Sequence, residues 1–496
     1  MRQKLAHLAG SLVIYGLGDV ATSIVGFLLL PVFTSLLTPA DYGVLALLTT
    51  VEVVAKIVFR WGVDASFMRF YYDCEDEDER RRLAGTIFLF LVAANGTLLT
   101  GALVAAPFVS AGLFGLPGYT LALQLVLVNT FVGGFYFLPF HVLRIRRRAL
   151  LFSLLNFART FGTLLLRILF VVGLERGLMG VVYADTVVTA VFAPVLALWF
   201  APHVRAVLSR PLLRDALRFG LPRIPHGIAQ QVIGPGTDAY LLRLFLALPR
   251  DARAGAIGLY SVNASLGLAM KYFLSAFETA WAPFYFATMK EADAKRTFAG
   301  ITTYGVAVLV LLAAGLAAVS TDLVRLMTKP AYVAAAGVIP WITVGVVFQG
   351  FYLLTSIGLN ITKHTEYYPV ATAIGAAVNV AANALLIPWI GVYGPAVANA
   401  ASYAVLAGVA HHLSQRFYPV RYEWGRLARL AAAAVAAFAA ARWLIPTTLP
   451  SLAGVFVRGG VVVAVYAALL ALTGFFTSRE IVRMRQAWRL LRPRQG

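Results

Sequence analysis

Four ionisable residues recur at every fourth position of VEVVAKIVFRWGVDASF, Val51 to Phe67: Glu52, Lys56, Arg60 and Asp64. Every residue between them is apolar. On an α-helix this spacing turns each residue about 40° from the last, so the four form a slanted stripe on one face. Glu52 and Lys56 stand in the favourable acid-first order for an i,i+4 pair, and Arg60 and Asp64 can pair in the reverse order. Unpaired, such a stripe can grip an anion or pass a proton. Paired, it neutralises itself.

The helix that must position these charges is itself apolar enough for a bilayer, and so is most of the chain. Of 496 residues 60% are hydrophobic and only 13% charged, against about 25% charged in soluble domains. A soluble enzyme of ordinary make-up is excluded. Apolar runs of about 20 residues recur from end to end, each long enough to cross a hydrocarbon core of about 30 Å as a helix. They predict an all-α polytopic membrane protein of fourteen spans: 10–37, 42–66, 83–107, 119–142, 150–173, 178–200, 219–246, 257–287, 298–319, 335–360, 369–388, 394–413, 430–445 and 456–476. The run after MRQKLAH is too long for a removable signal peptide and reads as the first span.

The net charge of +20 raises the question of nucleic acid, which the positions of the basic residues answer in the negative. With a cytoplasmic amino terminus, most of the 42 Lys and Arg fall in inner connections, and only Arg176, Arg250, Arg253, Arg325 and Lys329 fall in outer ones. This is the positive-inside pattern, and an even number of spans returns the carboxyl terminus to the cytoplasm. RIRRR, Arg144 to Arg148, and the basic tail from Arg479 to Arg494 are expected against anionic lipid headgroups. The single Cys74 lies in DCEDEDERRR, expected to be a solvated turn, and can form no internal disulfide.

The chain also repeats itself at an offset of about 215 residues. RRLAG at Arg81 matches RTFAG at Arg296, Gly43 matches Gly258, and Gly177 and Gly180 match Gly391 and Gly394. The mates are six spans apart, so the repeats share an orientation and are related by an axis along the membrane normal. Residues 1–216 are then one six-helix lobe, 217–416 the other, and 417–496 an appended helix pair with a cytoplasmic tail. No connection is long enough for a soluble domain; the longest runs from Ala201 to Arg218. Two parallel lobes suit a rocking transporter better than an enzyme. The seventh span, FGLPRIPHGIAQQVIGPGTDAY, holds three prolines and four glycines and cannot be one unbroken helix. Its mate, the first span, is also punctuated by glycine and proline.

Depth sorts the intramembrane charges. Four on one helix cost about 10 kcal/mol or more unless they are paired or wet. Arg60 and Arg167 lie about six residues, roughly 9 Å, from a span end and can snorkel. Lys56 and Lys271 are too deep for that, and they are repeat mates, so they are expected to face each other across the axis. Glu278 lies one residue from the equivalent of Asp64. Two readings fit the lysines: a central wet cavity holding an anionic group, or buried structural ion pairs. Acids balance bases in the first lobe, where Asp19, Glu52, Asp64 and Asp185 stand against Lys56, Arg60, Arg159 and Arg167, so the expected cavity is mixed rather than purely cationic. Arg159, with no acid on its own span, and Arg223, at the inner mouth of the seventh, are candidates for bidentate phosphate binding. Asp19, Asp238 and His226 are candidates for a coupling proton or sodium ion, with structural roles as the alternative. GLGDVA at Gly16 follows no strand and is no dinucleotide site. No Walker A sequence and no metal-ligand spacing is present, so no cofactor is expected.

GFLLLPVFTSLLTPADYGVLAL followed by WGVDASFMRFYYD resembles the amino-terminal signature of the polysaccharide-transport and O-antigen flippase families, and IGLYSVNASL, Ile257 to Leu266, resembles the corresponding second-half segment. These families share a superfamily with lipid II flippases and multidrug-and-toxin extruders. The resemblance implies a flippase moving an undecaprenyl-pyrophosphate-linked oligosaccharide across the bacterial inner membrane, with other polysaccharide-assembly proteins as partners. It implies a basic central cavity for the headgroup and a groove for the lipid tail beside the last two helices. A cation-coupled drug exporter of the same fold and a lipid II flippase remain alternatives; a membrane polymerase or ligase would require catalytic outer loops that are not evident.

Overall fold

The computed structural model describes residues 29–476 apart from 115–116, 147, 222, 235 and 447. Among these residues the chain is helical, with no strand. The first part comprises α1 (Leu30–Leu36), α2 (Pro39–Arg60), α3 (Val63–Asp73), α4 (Glu77–Phe114), α5 (Thr120–Gly133), α6 (Phe137–Ile145), α7 (Ala149–Ile168) and α8 (Gly177–Phe200). After α9 (Arg210–Gly220) come α10 (Arg223–Ile233), α11 (Asp238–Phe245), α12 (Arg250–Leu268), α13 (Met270–Thr288), α14 (Ala294–Met327), α15 (Val338–Thr355), α16 (Ile357–Ile361), α17 (Tyr367–Ile390) and α18 (Gly394–Phe417). Helices α19 (Trp424–Leu444) and α20 (Ser451–Leu472) complete the chain.

Ten stretches of the described residues are long and apolar enough to cross a membrane. The shortfall from fourteen has local causes. Most of 10–37 lies outside the described residues. The proline-rich 219–246 is broken into α10 and α11, and 257–287 is divided between α12 and α13. Helices α17 and α18 count as one stretch, Tyr367–Phe417. The connection after Ala201 is not merely a loop, since it carries α9. Nor is DCEDEDERRR only a turn: its second half opens α4, where Asp78 accepts hydrogen bonds from Arg205 at 2.7 and 2.8 Å and Glu77 pairs with Arg146.

Gly43 on α2 and Gly258 on α12 let two backbones touch. A Cβ on Gly43 would fall 1.8 Å from the Ala254 carbonyl oxygen, and one on Gly258 would fall 1.7 Å from that of Pro39. Pro39 and Ala254 are separated by the same offset as the glycines, so the contact is reciprocal, as a two-fold relation between repeats produces. Around it Val44, Leu47 and Leu48 share an apolar cluster with Leu242, Ile257 and Tyr260. A second cluster joins α14 to the alanine-rich α19 and to α20, with Ala433, Ala437 and Ala441 buried where the small side chains admit close approach. Arg458 of α20 and Asp322 of α14 form a buried ion pair there.

Candidate functional site

A cavity of about 870 Å³ is walled by α2, α3, α5, α6, α7 and α8. All four charges of the opening stripe line it, although they do not lie on one unbroken helix. Trp61 and Gly62 adopt left-handed conformations, φ 49° and 67°, between Arg60 and Asp64. Only glycine fits at 62, because a Cβ would sit 2.2 Å from the Gly220 carbonyl oxygen. Asn95 stabilises the break. Its amide donates to the Phe59 carbonyl at 2.7 Å and accepts from the Trp61 indole at 2.8 Å, satisfying polar groups that would otherwise be stranded.

Helix α7 is the thin wall. Asn156, Arg159, Thr160, Thr163 and Arg167 line the cavity, while Leu154, Phe157, Phe161 and Leu165 are exposed on the opposite face, as their spacing requires. A π-helical turn, Leu169–Gly173, follows it.

Five basic and three acidic side chains line the cavity. Lys56 pairs with Glu52 at 2.5 Å and Arg60 with Asp64 at 3.7 Å. Arg167 does not snorkel as expected from its depth; it forks onto Asp185, with Nε to Oδ1 at 2.9 Å and Nη2 to Oδ2 at 2.8 Å. Asp185 stands on the neighbouring α8, and the bidentate fit outweighs the reach to water. Arg144 and Arg159 differ from these three. Their guanidiniums lie over the rings of Phe152 and Tyr136 at 4.6 and 5.9 Å, and no carboxylate among the described residues is within ion-pair distance of either. The surplus positive charge of the cavity therefore resides on two groups built for bidentate oxyanion binding.

Lys271 does not line this cavity. It occupies a small crevice with Leu268, Ile342, Val346 and Asn399, its Nζ 5.6 Å from the Tyr403 ring centroid. The two segments differ in continuity: α2 runs unbroken through Lys56, whereas its counterpart is interrupted at Ala269, two residues before Lys271. Glu278 is an exposed residue of α13 that lines neither space. Arg223 and His226 sit in the first turn of α10, their side chains outside what is described, and Asp19 lies outside the described residues.

Asp238, at the start of α11, is fully buried. It accepts hydrogen bonds from the Tyr260 hydroxyl and from the Asn399 amide at 2.7 Å. Asn379 donates to Asn399 at 2.8 Å and accepts from Asn383 at 3.0 Å. Oδ1 of Asp238 and Oδ1 of Asn383 are buried without a hydrogen-bond partner. The adjoining break between α10 and α11 is held from across the molecule by Thr50, whose hydroxyl donates to the Gly236 carbonyl at 2.7 Å.

Sequence reasoning missed Arg144, assigned to headgroups with the rest of RIRRR, and His141, Asn129, Tyr136 and Asn156, all of which line the cavity. A signal existed in the polar residues 156, 159, 160, 163 and 167, which recur at helical spacing in an apolar span. The asparagines around Asp238 were likewise visible as isolated amides in apolar runs.

The sequence profile of the polysaccharide biosynthesis proteins matches residues 8–290. No curated protein sequence matches the chain. Among solved structures it is similar to the lipid II flippase MurJ in an inward closed conformation, at TM-score 0.75 and 12% identity over 93% of this chain and 98% of that one. It is also similar to an inward-facing multidrug resistance MATE family transporter of the MOP superfamily, at TM-score 0.64 and 15% identity over 85% and 96%. Identities this low show the fold alone. The fold is that of multi-pass membrane transporters and flippases, and these relatives are not enzymes.

Proposed function

Because the chain belongs to the polysaccharide biosynthesis protein family, we propose that it is a flippase carrying an undecaprenyl-pyrophosphate-linked oligosaccharide across the bacterial inner membrane by alternating access. The observation that carries this reading is the pair of guanidiniums, Arg144 and Arg159, on a cavity whose other cations are each answered by a carboxylate. They receive the pyrophosphate, while Lys56 and Arg60 add to the attractive field and the polyprenyl tail stays in lipid. Fourteen spans with both termini cytoplasmic, in parallel lobes 1–216 and 217–416 with 417–496 appended, account for the motion. The reciprocal Gly43 and Gly258 contact supports that arrangement, with the lobes closed together at one end. Anionic lipids are expected against the basic inner surface. Asp238 and Lys271 belong to coupling in the second lobe, to a proton or sodium ion, with His226, Glu278 and, in the first lobe, Asp19 as further candidates; Arg223 is a further candidate for the phosphate.

The test is reconstitution in liposomes with the lipid-linked oligosaccharide in both leaflets and an impermeant glycosidase outside. Flipping exposes the protected inner pool. A protected pool that persists with correctly inserted protein, or new glycosidic bonds formed without translocation, overturns the proposal. A second reading, a cation-coupled exporter of small molecules, is favoured by the buried Asp238 with its unpartnered Oδ1. Loss of all export in Asp238→Asn, with Arg144→Ala and Arg159→Ala silent, selects it.

A further inference from the structure

Beside the main cavity lies a second space of about 420 Å³. Asp64 and His141 line both, forming a common wall. The second space is otherwise bounded by α3, through Met68, Arg69, Tyr72 and Asp73, and by Phe219 of α9. The two differ in chemistry. The main cavity carries a surplus of guanidinium, whereas here Arg69 is answered by Asp73 at 3.3 Å and Asp64 by Arg60 at 3.7 Å, so no surplus cation borders this space. Tyr72 leaves 66% of its surface uncovered and Phe219, whose ring packs edge-on with that of Phe70, leaves 40%, so part of each side chain borders the space. His141 stacks on Phe67, and its Nδ1 is buried without a hydrogen-bond partner.

We propose that this antechamber is a binding subsite for uncharged sugar residues at the far end of the carried glycan. The exposed parts of these side chains offer apolar surface for the C–H faces of a pyranose, and the carboxylates and guanidinium beside them accept from and donate to its hydroxyls. With each charge here answered, no surplus cation is left to hold an anionic sugar, and apolar lipid chains would leave the carboxylates desolvated. The subsite rests on the flippase reading and deepens it: the pyrophosphate sits with Arg144 and Arg159, the first sugars fill the main cavity, and a longer glycan passes Asp64 and His141 into the antechamber.

The experiment compares binding of three probes to purified full-length protein in nanodiscs: undecaprenyl pyrophosphate, the same lipid bearing one sugar, and the same lipid bearing at least five neutral sugars. Tyr72→Ala and Phe219→Ala are each expected to weaken the long-glycan probe about tenfold, the scale of one aromatic contact, and to leave the other two unchanged. Tyr72→Phe, which keeps the ring, is expected to bind all three as wild type does. Unchanged affinity for the long glycan in both alanine variants overturns the subsite, and so does an equal loss for the sugar-free lipid, which marks a lipid or phosphate contact. Failure of the wild-type protein to bind even undecaprenyl pyrophosphate removes the flippase reading itself.

Discussion

Around the first cavity, paired charges keep between 33% and 48% of their side-chain surface uncovered. Around Asp238, carboxylate, tyrosine and asparagines are sealed from solvent. The first arrangement is wet, so each ion pair is screened and contributes little, on the order of 1 kcal/mol or less. Its consequence lies in the surplus, Arg144 and Arg159, which on the proposed function would exchange water for phosphate and release it again. The second arrangement is dry. Each hydrogen bond there is needed to keep a polar group from being stranded, and one oxygen each of Asp238 and Asn383 is left buried without a partner.

The contrast can be broken most directly at the surplus charges. Arg144→Ala combined with Arg159→Ala should lower flipping by about a hundredfold or more, since a hydrogen bond to a charged group contributes roughly 1.5 to 3 kcal/mol. Arg159→Lys should recover only part, because the forked geometry is lost. Rates from the glycosidase-protection assay decide this; a double variant that flips normally would mean the cavity does not hold the phosphate. The dry region is probed by stability instead. Asn399→Leu removes one of the two donors to Asp238 and the acceptor of Asn379, and should cost about 2 kcal/mol, read as a lowered melting temperature of the purified protein. An unchanged melting temperature would mean the network is wetter than its burial implies. The smallest effect is expected from Lys56→Met, which breaks the screened pair with Glu52 and should change stability by about 0.5 kcal/mol. If Lys56→Met reduces flipping more than Arg159→Ala does, the division between paired and surplus cations fails.

Much of this was legible beforehand because it depends on spacing along one helix. The stripe from Glu52 to Asp64 reaches a common cavity, the proline-rich 219–246 is broken, and the matched glycines at 43 and 258 do meet. The Asp238 site was visible only as an isolated acid, since its partners come from three other helices. Arg144 was hidden inside a basic run whose remaining members had a simpler explanation at the lipid surface.

The sequence by itself determined the membrane class and the i,i+4 pairs, because composition and helical periodicity act within single segments. Only the tertiary structure decided which charges are answered across helices. Arg167 meets Asp185, Arg144 turns inward over Phe152, and Lys271 is diverted from its mate. Each outcome depends on how a helix is rotated and where it is broken, at Trp61 and Gly62 or at Ala269. Those angles are set by close packing against neighbours distant in the chain, which no local spacing encodes.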